Sequence, residues 1–383
     1  MKIFFITHTY SLKEGGGGEI FVSGYLRELR KRNHEIMVFT PHSADYSEEE
    51  KRLGIKTVYA PVFGHHALHK FQYLLFAFNA VKLAKEFKPD IIHAQNDAIP
   101  GIIGHLIKKE IKKPMILALE GLSNKGKSLN LKLVYAVNKF FLPKLNYDKI
   151  VSWSKFVKEN FLLKWGIESE KISVIPGGIE LEKFFSVKST GKFEKKFGKK
   201  FFASVKPLNK NNADAIAFVI KAMKIVSEKH PEYKYVIAGE GNEKAKLEEL
   251  AKKLGIEKNI VFAGWIDSEE LPELYASSDF TVHSFIFRAS TSIALLESMA
   301  SGKAVVATES GEIKSIVKDS GILAKPENPE SIADAIIKLI ENPAMKKEMG
   351  LKARKIAEEN YSIKSVADKF EKLYNELIEK QKK

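Results

Sequence analysis

The sequence predicts an α/β protein with two doubly wound domains, each built around a mainly parallel sheet. Short apolar runs rich in β-branched and aromatic residues alternate with segments of helical period through the first half of the chain. A polar stretch without a sustained apolar period, 180–200, interrupts this alternation, which then starts again. A chain of 383 residues is also too long for a single hydrophobic core. We therefore expect a first domain over 1–180, a linker over 181–198 and a second domain over 199–361.

The elements of the first domain follow one another in regular succession. Strands are predicted at 2–7, 34–41, 56–61, 90–95, 114–121, 148–154 and 172–176. Helices are predicted at 19–32, 70–88, 99–109, 130–145 and 155–165. Four glycines, 15–18, separate the first strand from the first helix. Such a turn lets the backbone approach a phosphate or a sugar closely, although its spacing is neither GxGxxG nor a Walker loop.

The second domain repeats the same succession and ends in helices. Strands are predicted at 200–205, 233–239, 259–265, 279–283, 304–307 and 321–325. Helices are predicted at 213–228, 243–254, 269–277, 291–300, 329–341, 344–360 and 362–380. The last helix carries an apolar stripe at helical spacing, which must be buried: Val366, Phe370, Leu373, Tyr374 and Leu377.

The composition excludes several classes of protein. There is no cysteine, so disulfides and thiol chemistry are excluded, and a reducing, cytoplasmic interior is expected. The first residues turn polar too soon for a signal peptide, and the most apolar patch, 71–81, is too short for a membrane span. Abundant lysine and glutamate without cysteine are typical of a thermophile.

The positive charge is concentrated in one region. The formal charge is +14, and 101–150 holds ten lysines against Glu110, Glu120 and Asp148. Such a surplus attracts phosphates, nucleic acid or an anionic membrane, while a merely solvated surface explains it equally well. No zinc-finger spacing, RNA-binding aromatic motif or helix-turn-helix is visible. We therefore expect no nucleic-acid partner and a peripheral contact of this region, with Phe140, Phe141 and Leu142, on the inner face of the membrane.

The stretch 279–309 predicts strand, loop, helix, tight turn and strand. A loop at the carboxyl end of a strand that leads into a helix is where α/β folds bind anionic ligands. The backbone amides of Thr291, Ser292 and Ile293 would be donors there. An ordinary βαβ unit gives the same pattern, so this stretch alone leaves both interpretations open.

Taken in order, several segments resemble the retaining, nucleotide-sugar-dependent glycosyltransferases of family 4, which have the two-Rossmann-domain GT-B fold. They are the glycine loop 15–18, DIIHA at 90–94, ISVIPGGIE at 172–180, IAGEG at 237–241, VFAGW at 261–265 and LESMASGKAVVAT at 296–308. The resemblance covers nearly the whole chain. It implies two Rossmann-like domains facing across a cleft, an acceptor site in the first, a donor site in the second, and a last helix, 362–383, that packs back on the first domain.

The resemblance also implies roles for individual residues. Breaking a sugar–diphosphate bond develops negative charge on the leaving phosphate, so cations and helix-end amides are needed there. Lys206 stands where relatives have an arginine, Lys210 or Asn211 takes the place of their second cation, and Glu297 matches the glutamate that binds ribose. The implied donor set is Gly16, Gly17, Lys206, Lys210, Asn211, Gly239, Gly241, Gly264, Trp265, Arg288, Ser290, Thr291, Ser292, Ile293 and Glu297. No Asp-x-Asp motif appears at a strand end, so no metal and no cofactor beyond the sugar nucleotide are expected.

The chain departs from the family pattern at positions near the sugar. Ala289 replaces the family's first glutamate and, with His93, is the implied catalytic position. Gln95 replaces the second histidine of HxH, and Glu120 replaces the histidine of Thr-x-His-Gly; both are implied on the acceptor side. Because a methyl group stands where a carboxylate contacts the sugar, turnover is expected to be slow, lost or supported by another contact.

Three functions remain open at this stage. The first is a hexosyltransferase that acts on a lipid or saccharide acceptor. The second is a homologue that binds the nucleotide sugar but has impaired or lost turnover, which Ala289 and Lys206 suggest. The third is a nucleotide-sugar epimerase or phosphorylase, which the motifs at 172–180 and 296–308 disfavour.

Overall fold

The computed structural model describes residues 1–8, 17–41, 54–61, 72–122, 129–185, 187–287 and 291–382. It divides the chain into two compact units. The first unit comprises Met1–Gly178, Ala289–Thr291 and Ile363–Lys383. The second comprises Ile179–Arg288 and Ser292–Ser362. Each unit has its own parallel sheet, so the prediction of two doubly wound α/β domains is confirmed.

The first unit is built on a seven-stranded sheet in the order β3-β2-β1-β4-β5-β6-β7, and every pair in it is parallel. Its strands are β1 Lys2–Ile6, β2 Glu35–Pro41, β3 Lys56–Ala60, β4 Ile91–Asn96, β5 Met115–Leu119, β6 Lys149–Ser152 and β7 Ile172–Val174. Central strands such as β5 are buried along their whole length because helices cover both faces of a parallel sheet. The strand order reverses between β1 and β4, which is the switch point where such folds bind ligands.

Five α-helices of the first unit precede the second unit in the described part of the chain. They are α1 Gly17–Lys31, α2 Ala77–Phe87, α3 Ala98–Ile111, α4 Leu129–Phe141 and α5 Lys155–Val157. Side chains cap α3 and α5. The Asp97 side chain caps α3 by accepting from the Ile99 N–H at 2.9 Å. The single helix predicted at 155–165 is interrupted, because α5 passes into a π-helical turn, Lys158–Leu162, and then into a 3₁₀ turn, Leu163–Trp165.

The last helix of the chain, which we number α15 (Ile363–Lys382), belongs to the first unit. Its predicted apolar stripe is buried, and the Tyr374 hydroxyl lies 2.7 Å from that of Tyr25 on α1. At the edge of this contact the Arg32 guanidinium pairs with the carboxylates of Asp368 and Glu371. The apolar stripe is thus buried within the first unit, where it packs on α1, as the sequence and the resemblance together led us to expect.

The second unit is built on a six-stranded sheet in the order β10-β9-β8-β11-β12-β13. Its strands are β8 Phe201–Val205, β9 Lys234–Ala238, β10 Ile260–Gly264, β11 Thr281–His283, β12 Val305–Thr308 and β13 Gly321–Ala324. Its helices are α6 Glu182–Phe185, α7 Lys192–Phe197, α8 Ala213–Lys229, α9 Lys244–Lys253, α10 Leu271–Ser277, α11 Ile293–Ala300, α12 Ile313–Val317, α13 Pro329–Glu341 and α14 Pro343–Tyr361. The switch point lies between β8 and β11.

The stretch expected as a linker, 181–198, contains the short helices α6 and α7 and lies within the second unit. Phe193 and Phe197 are both buried, and their rings stack with centroids 5.6 Å apart. Phe197 also meets Phe201 of β8 edge-on. Three phenylalanines spaced four residues apart therefore anchor the segment 181–198. Its many charged residues had led us to predict a linker.

Among the described residues, no helix is long and apolar enough to cross a bilayer. The same residues hold no cluster of three or more histidine or carboxylate side chains arranged to bind a metal ion.

Candidate functional site

Lys206 follows β8 directly, and its side chain extends from the end of β8 to the end of β11, at the switch point of the second sheet. Its ammonium donates to the carbonyl oxygen of Ser284, which follows β11, and lies 4.2 Å from the ring centroid of Phe285. The ligand site of an open α/β sheet lies beyond the carboxyl ends of the strands at this point. Lys206 therefore supplies a positive charge where the fold provides an anion site.

Two of the predicted donor glycines hold the loop that carries Lys206. A Cβ at Gly239, which has φ of +141°, would lie 2.1 Å from the carbonyl oxygen of Lys206. A Cβ at Gly241, which has φ of +155°, would lie 2.3 Å from the carbonyl oxygen of Leu208. The Lys206 N–H donates to Ala238 at 2.9 Å, so the two loops are joined by their backbones. These glycines are needed for this close approach, and a contact with a donor stays a prediction for both.

His283, at the end of β11, is a buried neighbour of this cation. Its Nε2 lies 3.0 Å from the Thr281 hydroxyl. Burial, assisted by the charge of Lys206, lowers the pKa of His283 to about 3. The imidazole is therefore neutral at physiological pH and leaves Lys206 as the charged group beside it.

Glu297 lies one turn into α11 with only 5% of its surface exposed. The Tyr275 hydroxyl donates to its Oε2 at 3.0 Å, and among the described residues no side chain donates to its Oε1. Burial raises the pKa of Glu297 to about 7, which the Tyr275 hydrogen bond and the charge of Lys183 oppose. A buried carboxylate with an open acceptor oxygen is suited to bind a ligand hydroxyl.

The remaining predicted donor residues lie in several parts of the chain. Arg288, Ala289 and Ser290 lie outside the described residues, as does Gly16. Thr291, Ser292 and Ile293 are buried, and α11 begins at Ile293, so Ser292 occupies the N-cap position. Gly17 is the first residue of α1. Lys210, Asn211 and Trp265 are exposed, and Gly264 has φ of +77° at the end of β10. Their contacts with a ligand stay predictions.

In the first unit, polar side chains gather at the carboxyl ends of β1, β4 and β5. The register pairs Asn96 with Leu119, so Glu120 comes directly after the partner of Asn96. The Asn96 side chain joins the three strands: its Oδ1 accepts from the Thr7 hydroxyl at 2.6 Å, and its Nδ2 donates to Glu120 Oε1. Asn96 has φ of +99°, an uncommon conformation that is concentrated at functional sites.

Gln95 and Glu120, both predicted on the acceptor side, are in contact. Gln95 Nε2 donates to Glu120 Oε1 at 3.3 Å. A Cβ on Gly18 at the start of α1 would lie 2.3 Å from Glu120 Oε2, so a larger residue here would require this carboxylate to move. Burial raises the pKa of Glu120 to about 7. The structure thus brings these two predicted residues together with the glycine-rich turn.

His93 is fully buried, and both ring nitrogens are engaged. Nδ1 contacts the Tyr374 hydroxyl and Nε2 lies 3.0 Å from Gln95 Oε1. Burial lowers the pKa of His93 to about 3, so the ring is neutral. In this state the buried His93 holds the Gln95 side chain in place through a hydrogen bond. Its catalytic role stays a prediction.

Three residues of this first-unit site were not predicted from the sequence. His8 Nε2 lies 2.8 Å from Asp97 Oδ2, and Asn96 joins both strand ends. Each of these residues lies immediately at or beyond the end of a predicted strand. Following β1 and β4 one or two residues further would have found them, because the carboxyl ends of adjacent parallel strands share one edge.

Known proteins resemble this chain over nearly its whole length, so the likeness covers both units. The uncharacterized glycosyltransferase MJ1069 of Methanocaldococcus jannaschii is 27% identical, with 96% of this chain and 97% of that protein covered. The alpha-monoglucosyldiacylglycerol synthase of Streptococcus pneumoniae is 28% identical over 94% of this chain and 83% of that protein. The crystal structure of Anabaena HepE in complex with UDP and glucose superposes with a TM-score of 0.79 at 18% identity, covering 98% and 99% of the two chains.

Two parallel α/β units with this likeness have the GT-B fold. Residues 15–183 match the model described as Glycosyltransferase Family 4, and residues 188–356 match the model described as Glycosyl transferases group 1. The chain belongs to this family of glycosyltransferases, and the resemblance predicted from the sequence is confirmed.

Proposed function

We propose that the chain transfers a hexose from a nucleotide-diphosphate sugar to a lipid or saccharide acceptor, with retention of the anomeric configuration and without a metal ion. The observation that carries the proposal is that the second unit contains a cation at its switch point and a buried carboxylate on the helix after β11. Lys206 lies at the switch point, and Glu297 lies on the helix that follows β11. HepE, whose fold is shared, was crystallised with UDP and glucose, and the pneumococcal relative is named for a glycolipid product.

The proposed donor site assigns one task to each charged group. The Lys206 ammonium neutralises the charge that develops on the leaving diphosphate, together with the amides at the start of α11. The Glu297 carboxylate accepts hydrogen bonds from the ribose hydroxyls, for which its Oε1 is open. In the first unit, Glu120 and Gln95 face the acceptor.

A panel assay tests this function directly. The protein is incubated with UDP-, ADP-, GDP- and dTDP-hexoses, with diacylglycerol and simple saccharides as acceptors, and with EDTA throughout. We expect release of a nucleoside diphosphate and formation of an α-linked product with one donor. Binding of a donor without product or hydrolysis would instead support a nucleotide-sugar-binding homologue.

Glu297→Gln is expected to weaken binding of the nucleotide sugar by about tenfold to a hundredfold, because a hydrogen bond to a charged group contributes about 1.5–3 kcal/mol. The pKa of about 7 adds a pH dependence. Below that pH the group is protonated and accepts poorly, so wild-type affinity should rise between pH 6 and pH 8, while the variant should show no such rise.

Calorimetric titration at several pH values measures both effects. Glu248→Gln is the control, since Glu248 lies on the exposed side of α9, 3.6 Å from Lys244. Equal affinities for wild type and Glu297→Gln would remove Glu297 from the ribose site.

The contact with an anionic membrane also remains a proposal, and the exposed face of α4 supports it. Leu133, Phe140 and Phe141 are exposed, and Lys144 Nζ lies 3.3 Å above the Phe140 ring. Leu142, which was expected beside them, is buried and takes no part in this face. Residues 121–147 contain five lysines and no acidic residue. Two of the nearby acids are already paired with lysines: Asp148 with Lys108, and Glu110 with Lys85. Exposed apolar side chains flanked by lysines are typical of a helix that lies in a membrane interface.

Lys139→Gln combined with Lys144→Gln is expected to lower binding to anionic vesicles about thirtyfold, since each lysine near acidic lipid contributes roughly 1 kcal/mol. Co-sedimentation with phosphatidylcholine vesicles, with and without phosphatidylglycerol, measures this. Lys252→Gln combined with Lys253→Gln removes the same charge from α9 and should have no effect. Sedimentation that is equal on neutral and anionic lipid, and insensitive to salt, would refute the contact.

A further inference from the structure

A continuous chain of buried hydrogen bonds runs from the last helix to Glu120. The Tyr25 and Tyr374 hydroxyls are 2.7 Å apart, and Tyr374 contacts His93 Nδ1. His93 Nε2 lies 3.0 Å from Gln95 Oε1, and Gln95 Nε2 lies 3.3 Å from Glu120 Oε1. The first four of these side chains have at most 1% of their surface exposed.

The chemistry of the groups fixes the direction of every bond in this chain. A Glu120 carboxylate accepts only, so Gln95 must turn its amide nitrogen towards it. Gln95 Oε1 then faces His93, whose Nε2 must carry the proton. A neutral ring protonated on Nε2 has only a lone pair on Nδ1, so Tyr374 donates to it. Tyr374 in turn accepts from Tyr25. All four protons point towards the carboxylate.

The chain ends at a carboxylate that keeps one oxygen open. Oε1 accepts from Gln95 and also from Asn96 Nδ2. No described residue donates to Oε2, which lies beside Gly18, and Glu120 is partly exposed. An accepting oxygen at the switch point of the first sheet is thus available to a ligand.

We propose that Glu120 Oε2 accepts a hydrogen bond from a hydroxyl of the acceptor, and that Tyr374, His93 and Gln95 are positioning residues that orient this group and hold it as a carboxylate. The proposal deepens the acceptor side of the proposed function and rests on it. It also gives α15 a role in the site, because this helix supplies the hydroxyl that donates to His93 Nδ1 once Gln95 has fixed the tautomer.

The groups around Glu120 act on its pKa in both directions. Burial raises its pKa, and Glu19 and Asp97 raise it further, while the Gln95 hydrogen bond and His8 lower it. His8 itself lies 2.8 Å from Asp97. At the far end, Arg32 and His34 pair with Glu371 on α15. Aligned neutral donors are therefore the main influence within this group that favours the charged form.

The test is a titration of Glu120 by NMR, using protein labelled with ¹³C at the glutamate carboxyl carbon and Glu120→Gln to identify the signal. Gln95→Leu removes the donor at the end of the chain, while Asn96 still donates to Oε1, and it should raise the pKa of Glu120 by about one unit, given the strength of hydrogen bonds to charged groups. Tyr374→Phe should raise it by less, in the same direction. Tyr235→Phe is the matched control, because Tyr235 is equally buried and donates to Ser204 Oγ at 3.0 Å in the second unit.

The outcomes separate this proposal from the transferase function. The titration needs no substrate. It therefore tests the chain of hydrogen bonds even if no donor or acceptor substrate is identified. If activity is found, the acid limb of the pH–rate profile should move to higher pH in both variants and stay in place for Tyr235→Phe. A pKa of Glu120 that is unchanged in both Gln95→Leu and Tyr374→Phe would overturn the directed chain. An acceptor KM that is unchanged in Glu120→Gln would overturn the contact with the acceptor.

Discussion

Lys206→Met is expected to lower kcat/KM for sugar transfer by about a hundredfold to a thousandfold, which is the usual loss when one preorganised electrostatic contact to a transition state is removed. The methionine keeps most of the side-chain length but removes the charge at the switch point. The diphosphate carries more negative charge in the transition state than in the bound donor. Most of the loss should therefore appear in kcat rather than in donor KM.

Lys221→Met is the matched control for this change. Lys221 lies on α8 in the same unit, exposed, with its ammonium 5.2 Å from the Phe218 ring. It shares the lysine–phenylalanine contact but not the position at the strand ends. Lys206→Arg should retain much of the activity, since arginine is the residue at this position in the family pattern. Full activity of Lys206→Met would show that another group stabilises the leaving phosphate.

Ala289→Glu is expected to raise kcat, by up to about a hundredfold to a thousandfold. The family pattern places a glutamate here beside the donor sugar, where a carboxylate accepts from sugar hydroxyls and orients the ring. Alanine provides no acceptor. The chain should therefore bind its donor well and transfer slowly, although Ala289 lies outside the described residues and the prediction comes from the sequence.

The measurement is kcat for transfer or donor hydrolysis at saturating donor. Ala289→Gln serves as the control, because it has nearly the same size and one neutral acceptor, and it should recover only part of the gain. Brisk turnover by the unaltered chain, with no change in Ala289→Glu, would mean that another residue orients the sugar.

Much of the fold could be predicted because parallel strands are buried on both faces and read as continuous apolar runs. β5 and β12 are examples, since each is apolar or buried at every position. The segment with Phe193 and Phe197 was harder to predict. Its burial depends on two aromatic rings among charged residues, and the local sequence does not show that Phe201 will meet them. The π-helical turn after α5 likewise has no marker in the sequence.

Part of the candidate site could also be predicted from the sequence. Glu297 and Lys206 follow from motif position, and the structure shows what surrounds them: Tyr275 beside one and Ser284 beside the other. The chain from Tyr374 to Glu120 was not predictable, because it joins residues 281 positions apart at His93 and Tyr374. Only the packing of α15 on the first unit brings them together.

The central claim is that the second unit binds a nucleotide-diphosphate sugar through Lys206 and Glu297. The most direct test is calorimetric titration of wild type, Lys206→Met, Glu297→Gln and Lys221→Met with a panel of nucleotide sugars. We predict that one donor binds the wild type and Lys221→Met equally. It should bind Lys206→Met more weakly by a smaller factor than the loss in kcat, and Glu297→Gln at least tenfold more weakly, as expected for the loss of a charge-assisted hydrogen bond. Binding of no donor in the panel, or equal binding to wild type, Lys206→Met and Glu297→Gln, would contradict it.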